Sequence, residues 1–188
     1  MRRTTIVGYL FVGLFFAIER VARKGERATN LEVGEPDRVN VVLIALSYAT
    51  VLLATPLLNR FRIGRLRRER LAWLGVTSAA LGTVLRASAM RTLGEFYTRS
   101  LLVTDEQRVV DNGPYSVVRH PGYAGSMMIW VGSALALGSW LAALTTGGLM
   151  FAAYGRRIRS EEAMLGTALG EQYERYQRRT RRLIPFLY

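Results

Sequence analysis

Residues 121–155 read PGYAGSMMIWVGSALALGSWLAALTTGGLMFAAYG and contain no acidic or basic side chain. A helix needs about 20 apolar residues to cross a bilayer, so this stretch is long enough for nearly two crossings. A Leu-Gly-Ser-Trp sequence near its middle predicts a turn. We therefore predict a tight hairpin of two short membrane helices, over 121–137 and 140–155, whose outer ends at His120 and Tyr154 lie on the same side.

Three further apolar stretches precede the hairpin, at residues 4–22, 39–58 and 71–90. The first follows two arginines, as in a signal peptide, but it lacks a clear small-x-small cleavage site, so we interpret it as a retained helix. The sequence thus predicts an all-α fold. We expect an integral membrane bundle of about five transmembrane helices with a cytoplasmic C-terminal helix, in a single membrane domain over residues 1–188.

Composition excludes several classes of site and partner. Half of the residues are hydrophobic although the net charge is +12, and the two properties occupy separate stretches, as in membrane proteins. The chain has no cysteine, which excludes disulfides, thiolate nucleophiles and cysteine-based metal sites. His120 is the one histidine, so we expect no metal. The arginines are split among apolar spans without a recognisable nucleic-acid motif, and we expect the lipid bilayer, not nucleic acid, as partner.

The basic residues also predict an orientation, because lysine and arginine are preferentially retained in the cytoplasm. With the N-terminus outside, the cytoplasmic segments 19–38, 91–119 and 156–188 hold 17 basic residues, and the other side holds 8. The C-terminus and the active site are then cytoplasmic. The segment 59–70 opposes this orientation, since it carries six arginines and falls outside.

The character of the chain changes after residue 91, from apolar spans to turns, aromatic residues and charges. We interpret residues 1–91 as scaffold helices and residues 92–188 as the part that binds cofactor and substrate. The polar segment 31–40 is predicted to be an exposed loop.

Polar clusters flank the hairpin. A turn sequence, Asp-Asn-Gly-Pro, precedes Tyr115, and Pro121 suits the first turn of the fourth span. Gly122 and Gly125 leave room for a ligand or a neighbouring helix. Beyond the fifth span, Arg157 lies four residues before a glutamate, Glu161, and therefore on the same helical face. This pair can hold the negative group of a substrate and the ammonium of a zwitterionic cofactor side by side.

Each of these residues also has a purely structural alternative. His120 can cap the fourth helix, and Tyr115 and Tyr123 can belong to the belt of aromatic residues at the membrane interface. Arg86, inside the third span, is either functional or extends its charge to the membrane surface. We interpret Arg156 and Arg159 as lipid-headgroup anchors or solvated charges. Glu162 is interpreted as the ion-pair partner of a neighbouring arginine, and Tyr173 and Tyr176 as packing residues of a C-terminal helix.

Several motifs occur together, in order, over roughly residues 100–188. They are Gly113-Pro114-Tyr115, Arg119-His120-Pro121-x-Tyr123-x-Gly125, Arg157, Glu161-Glu162, Gly170-x-x-Tyr173-x-x-Tyr176 and Arg179-Thr180-x-Arg182-Leu183-Ile184-Pro185. This pattern resembles the isoprenylcysteine carboxyl methyltransferase family, with its bacterial and archaeal members and the related phospholipid methyltransferases. In the first hundred residues only the helical hydropathy fits that family.

The resemblance implies the cofactor and the roles of matched residues. It implies S-adenosylmethionine in a cytoplasm-facing pocket, with S-adenosylhomocysteine as product. It implies Arg157 as the catalytic residue on the substrate side. The cofactor contacts that it implies are Gln107, Arg108, Val109, Val110, Tyr115, His120, Pro121, Gly122, Tyr123 and Glu161.

The chemistry of methyl transfer favours a carboxylate acceptor. A carboxylate is ionised at pH 7 and needs only orientation and partial charge neutralisation, which an arginine supplies. An amine must first lose a proton, and the candidate base is His120 or a carboxylate. We therefore predict a membrane methyltransferase that O-methylates a lipid-like or isoprenoid-type carboxylate, although a small soluble acid stays open. The alternatives are a phospholipid N-methyltransferase, an NADPH-dependent membrane reductase of the steroid-reductase type, and a non-enzymatic membrane subunit or transporter.

Overall fold

A computed structural model gives the fold and describes residues 3–23, 35–94 and 108–184. Across these ranges every regular element is helical, and pairing between extended segments is limited to two isolated bridges. The all-α prediction is confirmed. The helices are α1 (Arg3–Arg23), α2 (Glu35–Ala49), a π-helical turn (Thr50–Ala54), α3 (Thr55–Arg60), α4 (Glu69–Leu93), a 3-10 turn (Gly113–Ser116), α5 (Pro121–Ala136), α6 (Trp140–Leu169) and α7 (Glu171–Arg179).

Two helical rods are long and apolar enough to cross a membrane. The first runs from Val39 to Arg60 through α2, the π turn and α3, and the second is α4. Only 17% and 28% of their most apolar windows are buried, and side chains such as Leu53 (72% exposed) face outward. Outward-facing apolar side chains on helices of this length suit a lipid environment. The other predicted spans are helical too, and the count of about five crossings stays a prediction.

The predicted loop over residues 31–40 is wrong in its second half. Helix α2 already begins at Glu35, and residues 31–34 lie outside the described ranges. Pro36 occupies the first helical turn, where its missing N–H is not needed. The polar sequence therefore marks the beginning of a helix, not a loop.

Helices α4 and α5 touch backbone to backbone through glycines. A Cβ atom on Gly75 would lie 2.5 Å from the carbonyl oxygen of Gly132, and one on Gly82 would lie 2.7 Å from that of Gly125. Small residues at such positions allow membrane helices to approach closely. Of the two glycines proposed to leave room for a ligand or a helix, Gly125 serves the helix contact.

The predicted hairpin is confirmed. Helix α5 ends at Ala136 and α6 begins at Trp140, with Gly138 at a φ of 95° that favours glycine. The hydroxyl oxygen of Ser139 caps α6 by accepting from the backbone N–H of Ala142 at 3.1 Å. A tight turn of this kind brings α5 and α6 alongside each other.

The connection between α3 and α4 docks on this turn. The N–H of Leu66 donates to the carbonyl of Gly138 at 2.7 Å, and the N–H of Trp140 donates to the carbonyl of Gly64 at 2.9 Å. The side-chain amide of Asn59 donates to the carbonyl of Leu137 at 2.8 Å. We call this end of the bundle, formed by residues 59–70, the α5–α6 turn and the start of α1, the arginine end.

The apolar core joins α1, α2, α5 and α6. Trp130 is fully buried and stacks on Tyr48 at 3.9 Å between ring centroids, with Phe15 edge-on at 5.3 Å. Met150 and Ile158 continue the core along α6. This packing fixes α6 against α5 and so sets the position of the residues at their outer ends.

The opposite end of the bundle, with Glu19, Arg86, His120 and Arg157, is called the site end. Here the chain beyond α7 folds back against the segment before α5. The N–H of Arg119 donates to the carbonyl of Arg181 at 2.7 Å, and the N–H of His120 donates to the carbonyl of Arg182 at 3.0 Å. The cytoplasmic location of this end, and the division into scaffold and binding parts, stay predictions.

Candidate active site

Tyr123 is the centre of a hydrogen-bonded cluster at the site end. Its hydroxyl donates to Oε2 of Glu161 at 3.0 Å and accepts from Nε of Arg157 at 2.8 Å. Arg157 and Glu161 lie one turn apart on α6, so a single hydroxyl on α5 reaches both. The structure thus brings together a cation and an anion that the sequence placed on one helical face.

His120 completes this group, which we call the Tyr123 cluster (His120, Tyr123, Arg157 and Glu161). The His120 side chain is 4% exposed, and its ring stacks on Tyr123 at 5.7 Å between centroids and has Nδ1 at 3.9 Å from Oε2 of Glu161. His120 stands at the N-cap of α5, but its side chain makes no capping hydrogen bond, so the capping alternative is wrong. Tyr123 also stacks on Tyr154 at 4.7 Å, and its two polar partners distinguish it from a simple interfacial aromatic residue.

Glu162 lies beneath this cluster and anchors it. Its Oε1 accepts from Nε of Arg119 at 2.8 Å and lies 3.4 Å from Nε2 of His120, and its Oε2 accepts from Nε of Arg182 at 2.9 Å. Burial opposes ionisation of this carboxyl, but the hydrogen bonds from His120 and Arg119 outweigh it and lower the pKa of Glu162 to about 2. An ion pair is the predicted role of Glu162, and the structure gives it two arginine partners, neither of them a neighbour in the sequence.

Arg119, one of the two arginine partners of Glu162, also ties the C-terminal segment to the start of α5. Nη1 of Arg119 donates to the carbonyl of Thr180 at 2.6 Å, and the hydroxyl of Tyr176 donates to the carbonyl of Tyr115 at 2.8 Å. Tyr173 and Tyr176 are buried, in agreement with a packing role, and burial raises the pKa of both phenols. Residues 115–120 are therefore held in place by α7 and the C-terminal segment that follows it.

Arg86 holds α5 from the other side. It is 7% exposed and donates from Nε to Oε1 of Glu19 at 3.0 Å, so it does not extend to the membrane surface. Its Nη1 donates to the carbonyl of Gly122 at 2.9 Å and to the hydroxyl of Ser126 at 2.6 Å. The guanidinium also lies 5.1 Å from the ring centroid of Phe15. An arginine and a glutamate inside two apolar spans are the sequence signal for such a pair.

The remaining predicted contacts lie at the same end of the bundle but on other segments. Arg108, Val109 and Val110 line a cavity of about 580 Å³ against residues 92–94 at the end of α4. Tyr115 and Pro121 are buried, while Gly122 presents its carbonyl to the arginine on α4. Gln107 lies outside the described residues.

The Tyr123 cluster combines groups that suit a zwitterionic ligand. The Glu161 side chain is 30% exposed, so its carboxylate can accept from an ammonium, and the neighbouring guanidinium can bind a carboxylate. Stacked aromatic rings form one wall beside these charges. Such an arrangement can bind and orient charged reactants without supplying a strong base.

Comparison with known proteins identifies the family. A profile of the phospholipid methyltransferase family matches residues 71–172. The chain is 25% identical over 167 residues to a probable protein-S-isoprenylcysteine O-methyltransferase of Oryza sativa subsp. indica, covering 88% of this chain and 84% of that protein. It is 30% identical over 115 residues to protein-S-isoprenylcysteine O-methyltransferase B of Arabidopsis thaliana, covering 60% and 58% of the two chains.

A solved structure shares the fold. The eukaryotic intramembrane Ras methyltransferase ICMT (isoprenylcysteine carboxyl methyltransferase) superposes with a TM-score of 0.63 and 25% identity, over 78% of this chain and 52% of that one. The chain thus matches about half the length of that enzyme. These matches bear out the resemblance seen in the motifs and place the protein among integral membrane enzymes that take a methyl group from a donor. Because the family match covers more than half of the sequence and all of the Tyr123 cluster, the chain belongs to the phospholipid methyltransferase family and is a membrane methyltransferase.

Proposed function

We propose that the protein uses S-adenosylmethionine to O-methylate the carboxylate of a prenylated cysteine or a similar isoprenoid-type acid at the site end. The observation that carries this proposal is the Tyr123 hydroxyl held between Arg157 and Glu161 at 2.8 and 3.0 Å. The relatives named above act, by their names, on protein-S-isoprenylcysteine, which supports this substrate class.

The residues at the site end fit the proposed cofactor. Its amino-acid part carries an ammonium, which the partly exposed Glu161 carboxylate of the Tyr123 cluster can bind, and this leaves the neighbouring Arg157 guanidinium for the carboxylate of the substrate. Residues 108–110, Tyr115 and 120–123 would hold the rest of the molecule, with Glu161 on the ammonium. When bound, S-adenosylmethionine supplies a methyl group on a positively charged sulfur, which an ionised carboxylate accepts by direct displacement.

The task of the protein in this reaction is alignment and exclusion of water. Arg157 binds the substrate carboxylate and orients one of its oxygens, and Tyr123 fixes the guanidinium through Nε. Glu162 and Arg86 hold the two sides of the α5 start, so that the aromatic wall keeps its position.

The position of His120 favours a carboxylate over an amine acceptor. An amine must lose a proton before it attacks, and His120 is the histidine available as a base. Its ring is buried and lies between two carboxylates, 3.4 Å from Glu162 and 3.9 Å from Glu161. This orientation suits a structural ring better than a proton acceptor for a substrate. The relatives are named as methyltransferases, which disfavours the reductase alternative.

The proposal is tested by methyl transfer from labelled S-adenosylmethionine to N-acetyl-S-farnesylcysteine by the purified protein in lipid vesicles. The matched controls are the carboxamide of the same compound and phosphatidylethanolamine. We expect label only in the free acid, in a form that mild base releases as methanol, because methyl esters are base-labile. A base-stable label in phosphatidylethanolamine would instead identify an N-methyltransferase.

The roles of the two charged residues on α6 can be separated. We expect Glu161→Ala to weaken binding of S-adenosylhomocysteine at least tenfold, and Arg157→Ala to leave binding within about twofold while lowering kcat at least tenfold, because a charged hydrogen bond contributes about 1.5–3 kcal/mol. Calorimetry and single-turnover assays measure the two effects. Arg156→Ala is the control, since Arg156 is a neighbouring exposed arginine. Unchanged affinity in Glu161→Ala would refute its assignment to the cofactor.

A further inference from the structure

The arginine end carries a concentrated positive charge. Six arginines lie within residues 60–70, all of them exposed, with Glu69 as the one acidic residue among them. In the described part of the chain, no carboxylate lies within 4.0 Å of any of these six guanidinium groups. The described residues therefore leave the charge of this cluster uncompensated.

This cluster lies where two membrane helices end. It connects the rod Val39–Arg60 to α4, so it falls at the depth of the lipid headgroups. Phe61 and Ile63 alternate with the arginines and are 63% and 51% exposed. Apolar side chains between cations suit the boundary between headgroups and acyl chains.

The arginines are held in place, unlike those of a flexible basic tail. The backbone of the connection is bonded to the α5–α6 turn on both sides of Arg65, which itself pairs with Ser139 in an isolated bridge. Leu66 is buried next to it. A ligand that binds these guanidinium groups does not have to order the chain first.

A cavity of about 690 Å³ opens beside this connection. Arg60 and Arg65 line it together with Asn59, and Thr5 and Tyr9 of α1 form the facing wall. Its size is in the range of small-molecule sites, and hydroxyl and guanidinium groups together are typical donors for phosphate oxygens.

We propose that this cavity binds the phosphate of an anionic phospholipid through Arg60 and Arg65. Lipid phosphate in the headgroup layer compensates the charge that the described carboxylates leave unpaired. It also accounts for an arginine cluster on the side that the distribution of basic residues assigns to the exterior, because arginines bound to lipid need not be cytoplasmic. The site is at the opposite end of the bundle from the Tyr123 cluster and does not depend on the identity of the methylated substrate.

Native mass spectrometry of the full-length protein in detergent tests the proposal, with phosphatidylglycerol as the probe. The test variant is R60Q/R65Q, and the matched control is R67Q/R70Q, which removes the same charge from the same connection outside the cavity. We expect R60Q/R65Q to weaken phosphatidylglycerol binding at least 30-fold, because each of the two guanidinium groups would donate to the phosphate and a hydrogen bond to a charged group contributes about 1.5–3 kcal/mol. The control should weaken it less than about fivefold, and phosphatidylcholine should not bind comparably.

Three outcomes would overturn the proposal. Equal losses in the two variants would show diffuse attraction without a site, and equal binding of phosphatidylcholine would show that the negative charge is not recognised. Displacement of phosphatidylglycerol by an equal concentration of inorganic phosphate would show an anion site that does not select lipid. Melting temperature and S-adenosylhomocysteine affinity report folding of each variant. If R60Q/R65Q does not fold, R60K/R65K replaces it, with an expected loss of about fivefold from the missing bidentate geometry.

Discussion

At the site end, the side chains of Arg86 and Arg119 are less than a tenth exposed and each binds a glutamate, whereas Arg60 and Arg65 at the arginine end are exposed. The guanidinium group is the same at both ends, and its burial decides which partner it binds. A buried guanidinium requires a protein carboxylate and in return orders the helices that supply both partners. An exposed guanidinium at the membrane surface can take its counter-charge from outside the protein.

Breaking the buried pair on α4 should give the largest effect. Arg86→Gln leaves Glu19 charged and buried, which typically costs about 3–5 kcal/mol. It also removes the donor to the carbonyl of Gly122. We expect a large fall in the melting temperature in detergent, and weaker S-adenosylhomocysteine binding in any protein that remains folded.

The double variant Glu19→Gln/Arg86→Gln is the control for that experiment. Two neutral amides remove the unpaired charge, so we expect it to recover more than half of the lost stability. A melting temperature for Arg86→Gln within 1–2 °C of wild type would contradict the importance of the pair.

The second-largest effect is expected for Glu162, on the stability of the folded protein at acid pH. Its pKa is lowered in the folded protein to about 2 from an ordinary 4.5, so its stabilising effect is complete above about pH 4.5 and is lost as the pH falls toward 2. The difference corresponds to roughly 3 kcal/mol at neutral pH. We expect Glu162→Gln to melt lower than wild type at pH 7, with the gap narrowing on acidification. Parallel curves for the two proteins between pH 5 and pH 3 would contradict this.

A smaller effect, on activity alone, is expected for Tyr123→Phe. The substitution keeps the ring that stacks on Tyr154 and removes the hydroxyl shared by Arg157 and Glu161. We expect kcat/KM to fall about 10- to 100-fold, because a hydrogen bond to a charged group contributes about 1.5–3 kcal/mol. The melting temperature should stay near that of wild type. Tyr9→Phe at the arginine end is the matched control, with activity expected within twofold.

The smallest effect is expected at the arginine end. Arg67→Gln/Arg70→Gln removes two exposed charges without a carboxylate partner among the described residues, so stability in detergent should change by less than about 0.5 kcal/mol. The free energy of unfolding in a mild denaturant series measures this. A loss comparable to that of Arg86→Gln would mean that the two ends do not differ as described.

The parts of the fold and site that depend on local sequence could be predicted. The hairpin follows from a charge-free stretch with a Gly-Ser turn, and the position of Arg157 and Glu161 on one face of α6 follows from helical spacing. The Tyr123 hydroxyl that joins them comes from α5 and does not follow from that spacing. The predicted loop is wrong at the start of α2, because polar residues with a proline occur both in loops and in first helical turns.

The parts that depend on distant pairing could not be predicted. The sequence predicts that Arg86 is either functional or extended to the membrane surface. Its partner is Glu19, 67 residues away on α1, and one sequence does not indicate which glutamate it meets. The two arginines that bind Glu162 are 43 and 20 residues away from it in the sequence. They meet it only because the C-terminal segment folds back in the tertiary structure. The cavity at the arginine end likewise needs three separate segments.

The glycine contacts between α4 and α5 also limit how a lipid substrate can travel. From Gly75–Gly132 to Gly82–Gly125 the two backbones leave no room for even one added carbon atom, so this seam is closed to an isoprenoid chain over two turns of helix. The same contact makes α4 and α5 a rigid pair during any opening of the bundle. The prenyl tail of the proposed substrate would therefore have to pass along a flank of α5 that α4 does not cover.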